Sequence, residues 1–378
     1  MPIGLYIHVP FCIRKCFYCD FTSYPVSVPA VEDYLKSLIE EINLYGAALG
    51  DEEKNISSLF FGGGTPTCLP AGALKMVLDE LRYSFSLMKG CEITVEANPG
   101  TVDAAGLDTL LKAGVNRLSI GVQSFNDALL GVLGRIHTAK QAVEAVQLAR
   151  KAGFANLNLD TIFGIPGQGI RDWRETLEQA VELGPEHIAA YGLQLEEGTP
   201  LTQAAARGEI CACPEDLELM MYQCAHEFLS GSGYNQYEIS NFARPGRECA
   251  HNLVYWLNRP YLGLGPAAHS FVNGERFSNE ASLERYSEKL SRKEYPVESR
   301  ESLTAENEMA ETMFLGLRMI QGVDLNLFHE RFGRRAEELY QQEIKALAEK
   351  GLVEIKGGCL RLTSAGLPLG NIVFREFV

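Results

Sequence analysis

From its start to about residue 195 the chain alternates short apolar, β-branched runs with longer amphipathic stretches, and this alternation restricts it to repeated βα units. The strand candidates are GLYIHV at 4–9, SSLFFG at 57–62, EITVEAN at 92–98, RLSIGVQ at 117–123, NLNLDTIF at 156–163 and HIAAYGLQ at 187–194. Between them, segments such as VEDYLKSLIEEINLYGAAL, AGALKMVLDELRYSF and TAKQAVEAVQLARKAG repeat apolar residues every three or four positions, as a helix facing a core does. Six consecutive parallel units either fan into an open doubly wound sheet or curl toward a barrel. Polar and Gly-rich residues cluster at the C-terminal ends of the runs, at 62–65, 96–99, Gln123 and 160–164. Both architectures place their sites there, so periodicity leaves the choice open.

Beyond residue 195 the pattern is irregular: a helix near 215–230, a strand near 237–242 and a loop-rich stretch, HNLVYWLNRPYLGLGPAAHSF. From 301 a new rhythm predicts helices near 304–320, 324–331 and 335–350. Two short strands then flank a Gly-Gly turn in VEIKGGCLRLT, the outline of a small winged-helix-like module. Its third helix, RRAEELYQQEIKALAEK, is not strongly basic, which points to a structural or partner-binding role instead of DNA. The net charge of −15 likewise argues against nucleic acid as a partner. With 378 residues, one large domain plus smaller appendages is expected. No uncharged apolar run of membrane-spanning length and no signal-peptide pattern occurs, and the expected location is the cytoplasm.

Of ten cysteines, Cys12, Cys16 and Cys19 stand as C-x3-C-x2-C in FCIRKCFYCDF, just after the first strand. The other seven are scattered, which suits small, partly buried thiols rather than a disulfide framework. Three closely spaced thiolates fit a 4Fe-4S cluster that leaves one iron open to an exogenous ligand, whereas a structural zinc site closes four positions. The α-amino and α-carboxylate groups of S-adenosylmethionine can chelate such an open iron. Phe11, Phe17, Tyr18 and Phe21 supply the dry wall a low-potential cluster needs. The alternative is zinc with His8 as fourth ligand.

With these residues the chain resembles the radical S-adenosylmethionine family, in the group of the oxygen-independent coproporphyrinogen III oxidases and related heme chaperones. The resemblance spans nearly the whole chain. It implies an α/β fold: a partial (β/α)6 TIM-like barrel over 1–232, an irregular α+β extension over 233–300, and a small C-terminal winged-helix-like domain over 301–378. The glycines of FFGGGTPT allow close approach of a backbone to an amino-acid headgroup. They resemble the family's GGGTP motif, which implies that Gly62, Gly63, Gly64 and Thr65 contact the methionine moiety. By the same similarity Glu96, Gln123, Arg135 and Asp160 contact S-adenosylmethionine, and Tyr6 and Tyr18 are aromatic contacts near the cluster. A carboxylate suits a ribose hydroxyl pair and Arg135 an anion; for each residue the plain alternative is an interstrand structural bond. GIPGQ at 164–168 reads as a turn.

Two departures separate the chain from the oxidases: Phe21 stands where they carry a fourth cysteine, and only three residues precede GLYIHV. His251–Trp256, HNLVYW, resembles the HNxxYW motif of the chaperones. An imidazole can ligate heme iron, and Tyr255 and Trp256 offer flat apolar surface, so His251, Tyr255 and Trp256 are the heme candidates. His269, in GLGPAAHSF, is the second candidate ligand. The resemblance thus implies a heme chaperone with a 4Fe-4S cluster, S-adenosylmethionine and heme as cofactors. Its partners would be heme-acceptor proteins, membrane-associated ones included, and a second copy in a homodimer. The alternatives are radical oxidative decarboxylation of coproporphyrinogen III, and a cluster-bearing interaction protein without a heme role.

Overall fold

The computed structural model describes residues 2–378. Six parallel strands lie side by side in chain order: β1 (Ile3–Val9), β2 (Asn55–Gly63), β3 (Ser86–Ala97), β4 (Arg117–Gln123), β5 (Leu157–Phe163) and β6 (His187–Gly192). Each is followed by a helix: α1 (Val28–Ala48), α2 (Ala71–Ser84), α3 (Ala104–Lys112), α4 (Ala139–Ala152), α5 (Ile170–Glu182) and α6 (Glu215–Gly231). This is the arc of a partial (β/α)6 barrel, and the order of neighbours decides against a doubly wound sheet, in which the order reverses at a switch point. The expected third strand begins six residues early, at Ser86. Between Ile56 and Ser58 the β2 register jumps, and this slip takes up the turn at Gly90, which hid the start of β3 from the sequence.

Alternation within the strands divides the chain's apolar and polar residues. Leu5, Ile7, Leu59, Val95, Leu118, Ile120 and Leu159 are fully buried in one core cluster with Leu38, Leu78, Val146 and Leu177 of the surrounding helices. Each such side chain contributes about 1.5–3 kcal/mol by leaving water. The intervening residues, among them Tyr6, Phe60, Glu96, Ser119 and Asp160, line space inside the arc.

The stretch expected to be loop-rich is ordered. Ala250–Trp256 is a helix, and Tyr261–Leu264 is a strand pairing parallel with β1. Antiparallel strands His269–Val272, Glu275–Asn279 and Val297–Ser302 extend that edge further. At the opposite edge Asn241–Ala243 pairs antiparallel with β6. Seven helical residues followed by a proline at 260 leave no period long enough to read from sequence.

The C-terminal module has the expected outline. Helices Ala305–Gly316, Leu325–Phe332 and Gln341–Glu349 pack on a three-stranded sheet of Val323–Asp324, Cys359–Leu362 and Val353–Lys356. It has its own core around Met313, Leu317, Phe328, Leu347 and Leu360, against which Ile239 packs. Among the described residues no helix is long and apolar enough to cross a membrane.

Candidate cofactor site

The C-terminal ends of strands β2 to β6 line a cavity of about 450 Å3. The cysteine loop covers one side of it. Its base is a two-residue parallel ribbon, Phe11–Cys12 against Tyr24–Pro25, closed by Tyr24 N–H donating to Pro10 O at 2.7 Å. Its flanks are pinned to neighbouring loops: Gly64 N–H donates to Val9 O (2.9 Å), Thr65 N–H to Phe11 O (2.7 Å) and Phe17 N–H to Leu133 O (3.0 Å). Cys12, Cys16, Cys19 and Tyr18 all line the cavity. The Thr65 hydroxyl lies 3.6 Å from Cys12 Sγ, and Arg135 Nη1 donates to Cys16 Sγ at 3.4 Å. Burial pushes the Cys19 thiol up to about 11, a cost that thiolate coordination to iron removes. Donors aimed at sulfur are what a cluster-bearing loop requires. Among the described residues no three His, Cys, Asp or Glu side chains surround a point suited to a single metal ion.

His8 does not fit the zinc alternative. Its Nε2 bonds Thr22 O at 2.9 Å and its Nδ1 bonds Tyr6 Oη at 3.0 Å, so both ring nitrogens are committed inside the protein.

Opposite the loop, Gly63, Gly64, Thr65, Glu96, Gln123, Arg135 and Asp160 line the same cavity. Gly63 has φ +105°, and its N–H donates to Glu96 Oε2 at 3.2 Å. Gly62 lies just below the cavity: a Cβ there would come within 2.9 Å of Phe60 and 3.2 Å of the Glu96 carboxyl carbon. Gln123 is buried with φ +65°, a conformation that strains a non-glycine residue and that surrounding contacts must enforce. Arg135 donates to Gly121 O at 2.7 Å and to Asn98 Oδ1, spanning the cavity floor to Cys16.

Two half-buried carboxyl groups stand here. Burial first, then the nearby Asp160 charge, pushes Glu96 up to about 8. Burial also raises Asp160, against the pull of hydrogen bonds from Asn158 Nδ2 (2.8 Å) and Ser119 Oγ (3.2 Å). Such a pair favours a ligand that brings positive charge and hydroxyl donors, and a sulfonium nucleoside with an α-ammonium group meets both demands.

Three residues of this site went unread in the sequence: Asn98, whose Nδ2 donates to Thr65 Oγ1 at 2.6 Å, Ser119, and Asn158. Strand alternation carries the missing signal, because they sit two residues from Glu96, Gly121 and Asp160 and share their faces.

The heme candidates lie elsewhere. His251 is 1% exposed, stacked on Phe60 inside the arc, with Nδ1 bonded to Ser58 Oγ (3.0 Å) and Nε2 to Tyr255 Oη (2.9 Å). Burial drives its pKa down to about 3, so the ring is neutral, yet neither nitrogen is free for iron. Tyr255 is turned inward as well, and Arg318 covers the Trp256 ring at 4.5 Å. In this structure HNLVYW packs into the arc and closes it from one side. Tyr6, expected beside the cluster, also faces inward, and with Phe60 and His251 it lines a second chamber of about 180 Å3 beneath the first. His269 is exposed at the start of the strand His269–Val272, after a loop packed on His8.

Residues 6–180 match the Radical SAM superfamily, and residues 303–369 match the HemN C-terminal domain. The chain is 38% identical to the heme chaperone HemW of Bacillus subtilis, over 99% of this chain and 98% of that one. With HemW of Escherichia coli it shares 42% identity over 72% of this chain and 70% of that one. Its fold is similar to the structure of the coproporphyrinogen III oxidase HemN of Escherichia coli, a radical SAM enzyme, with a TM-score of 0.86, 25% identity, and coverage of 100% of this chain and 90% of that one. The three thiols facing a glycine turn and two half-buried carboxyl groups thus belong to a known lineage: the chain is a member of the heme chaperone HemW family within the Radical SAM superfamily.

Proposed function

We propose that Cys12, Cys16 and Cys19 hold a 4Fe-4S cluster, that S-adenosylmethionine occupies the adjoining cavity, and that the protein carries heme to acceptor proteins in the cytoplasm or at a membrane surface. The observation that carries the cofactor reading is the convergence of all three cysteines, Thr65, Glu96, Arg135 and Asp160 on one cavity. The heme reading is supported by similarity over nearly the full chain to proteins named heme chaperones. When bound, the cluster supplies an open iron and an electron for the sulfonium group.

The chain's own residues bind and orient. Gly63 and Gly64 leave room for the amino-acid end, Glu96 and Asp160 offset its positive charges, and Arg135 steadies Cys16. His269 is our candidate heme ligand in this conformation: it is exposed, among the described residues its imidazole makes no hydrogen bond, and it stands near His8 at the cysteine-loop end of the arc. A homodimer would present two such imidazoles.

Anaerobically reconstituted protein is expected to contain iron and acid-labile sulfide in equal amounts. A single zinc ion without sulfide would refute the cofactor reading. Heme added to it should give a Soret band that moves to an apo-acceptor on mixing, and a band that stays behind refutes carriage. Coproporphyrinogen III with S-adenosylmethionine should give no protoporphyrinogen; sustained turnover would establish the oxidase instead.

A further inference from the structure

The chamber beneath the cofactor cavity is closed from below by the helix Ala250–Trp256 and shares Glu96, Ser119, Asp160 and Tyr191 with the cavity above. At about 180 Å3 it falls short of the roughly 300 Å3 that begins the range for drug-sized ligands, so no porphyrin ring enters it. Its lining mixes aromatic rings with polar groups, and one of the polar groups is out of balance.

Arg117, the first residue of β4, lines the chamber with its side chain 2% exposed. Among the described residues its guanidinium makes no hydrogen bond, and its Nε is buried without a partner. The nearest carboxylate oxygen, Glu92 Oε2, stands 3.9 Å from that Nε, beyond hydrogen-bond reach. The other Glu92 oxygen is taken by the Cys249 thiol (3.5 Å) and His251 N–H (3.4 Å). Glu92 and Asp160 offset the charge of this guanidinium at a distance, but its fork of donors meets no side-chain acceptor at hydrogen-bond range, and the buried Nε pays for that unless a ligand supplies one. Other carboxylates do not take that place: Glu96 receives the Gly63 N–H, and Asp160 is held by Ser119 and Asn158.

We propose that this chamber binds a carboxylate of propionate size through the Arg117 guanidinium. The fork geometry of arginine matches a carboxylate with two parallel hydrogen bonds, and a three-carbon acid fits the volume. The same chemistry has two sources, a free short-chain acid or one propionate arm of heme reaching inward from a ring held outside. The second rests on the heme reading above; the first does not.

The test uses the reconstituted protein and propionate carrying 13C in its carboxyl group. Saturable broadening and shift of that resonance at millimolar propionate is expected with the wild type, with at least a tenfold loss of affinity in Arg117→Gln and partial recovery in Arg117→Lys. Each variant is first checked for an unchanged thermal midpoint and iron content. If the variants do not fold, the wild type still decides: no saturable binding of propionate overturns the proposal, as does binding that Arg117→Gln leaves unchanged. Heme and heme dimethyl ester then separate the sources. Displacement of propionate by heme but not by the ester identifies the propionate arm, whereas simultaneous binding of heme and propionate identifies a free acid. Heme binding that fails outright refutes the heme reading alone and leaves the chamber's affinity for propionate standing.

Discussion

The contact between Gly64 and Phe11 is expected to control cluster loading, and replacing Gly64 by Ala tests it. An added Cβ would lie 2.6 Å from Phe11 O, 2.8 Å from its N and 2.9 Å from its C, all backbone atoms that no rotamer change can move. The strands must separate, which puts at risk the bonds Gly64 N to Val9 O and Thr65 N to Phe11 O. Overpacking costs about 1–3 kcal/mol and each lost bond about 1, for a sum of about 3–5 kcal/mol. With an unfolding entropy of ~2.1 cal/mol/K per residue, that sum corresponds to a fall in Tm of about 4–6 °C for a chain of this length. The same separation moves Cys12 away from Thr65, so iron and sulfide content should fall along with Tm. Gly72→Ala is the control: nothing lies within 4 Å of its added Cβ, and in the first turn of α2 it should stabilise by up to about 1 kcal/mol. Differential scanning fluorimetry and an iron–sulfide assay read both variants. A Gly64→Ala protein with wild-type Tm and full cluster content would refute the idea that this contact fixes the loop.

Three further outcomes follow from the same geometry. Arg135→Lys removes the fork that links Cys16, Gly121 and Asn98, and anaerobic equilibrium dialysis should show S-adenosylmethionine affinity reduced about tenfold, about 1.4 kcal/mol, with iron content retained; equal affinity would remove Arg135 from the site. His269→Ala should weaken the Soret titration, whereas His251→Ala should lower Tm by leaving Ser58 and Tyr255 unpaired; the reverse pattern would return heme ligation to His251. Glu41, held by Gly265 N–H, Asn279 Nδ2 and Tyr286 Oη, is pushed by burial from 4.5 up to about 7. The unfolded chain gives up this proton first, so the folded state loses stability as pH rises from about 4.5 to 7. The urea midpoint should fall across that window, and less steeply in Glu41→Gln; parallel slopes would contradict the assignment.

The strand arc was legible because parallel strands buried on both sides read as continuous β-branched runs, with their polar residues collected at one end. The cofactor cavity was legible for a related reason: Cys12 to Cys19 and Gly62 to Thr65 are local motifs whose spacing survives without knowledge of the fold. Asn98, Ser119 and Asn158 were silent, since a lone polar residue in a strand declares its role only when the inward face is known. The burial of His251 was silent in the sequence because its surroundings are set by residues about 190 positions away, Ser58 and Phe60, and aromatic neighbours in sequence gave no sign of it.

An arc of six strands leaves two raw margins, β1 and β6, each with unpaired backbone groups. Both are covered by one later stretch of chain: Asn241–Ala243 reaches β6, and Tyr261–Leu264 reaches β1. Until that stretch leaves the ribosome, the nascent barrel exposes two sticky borders at once, which favours chaperone capture or self-association during synthesis. A fragment ending at residue 232 therefore inherits the borders permanently and should aggregate, whereas one ending at 300 keeps them sealed.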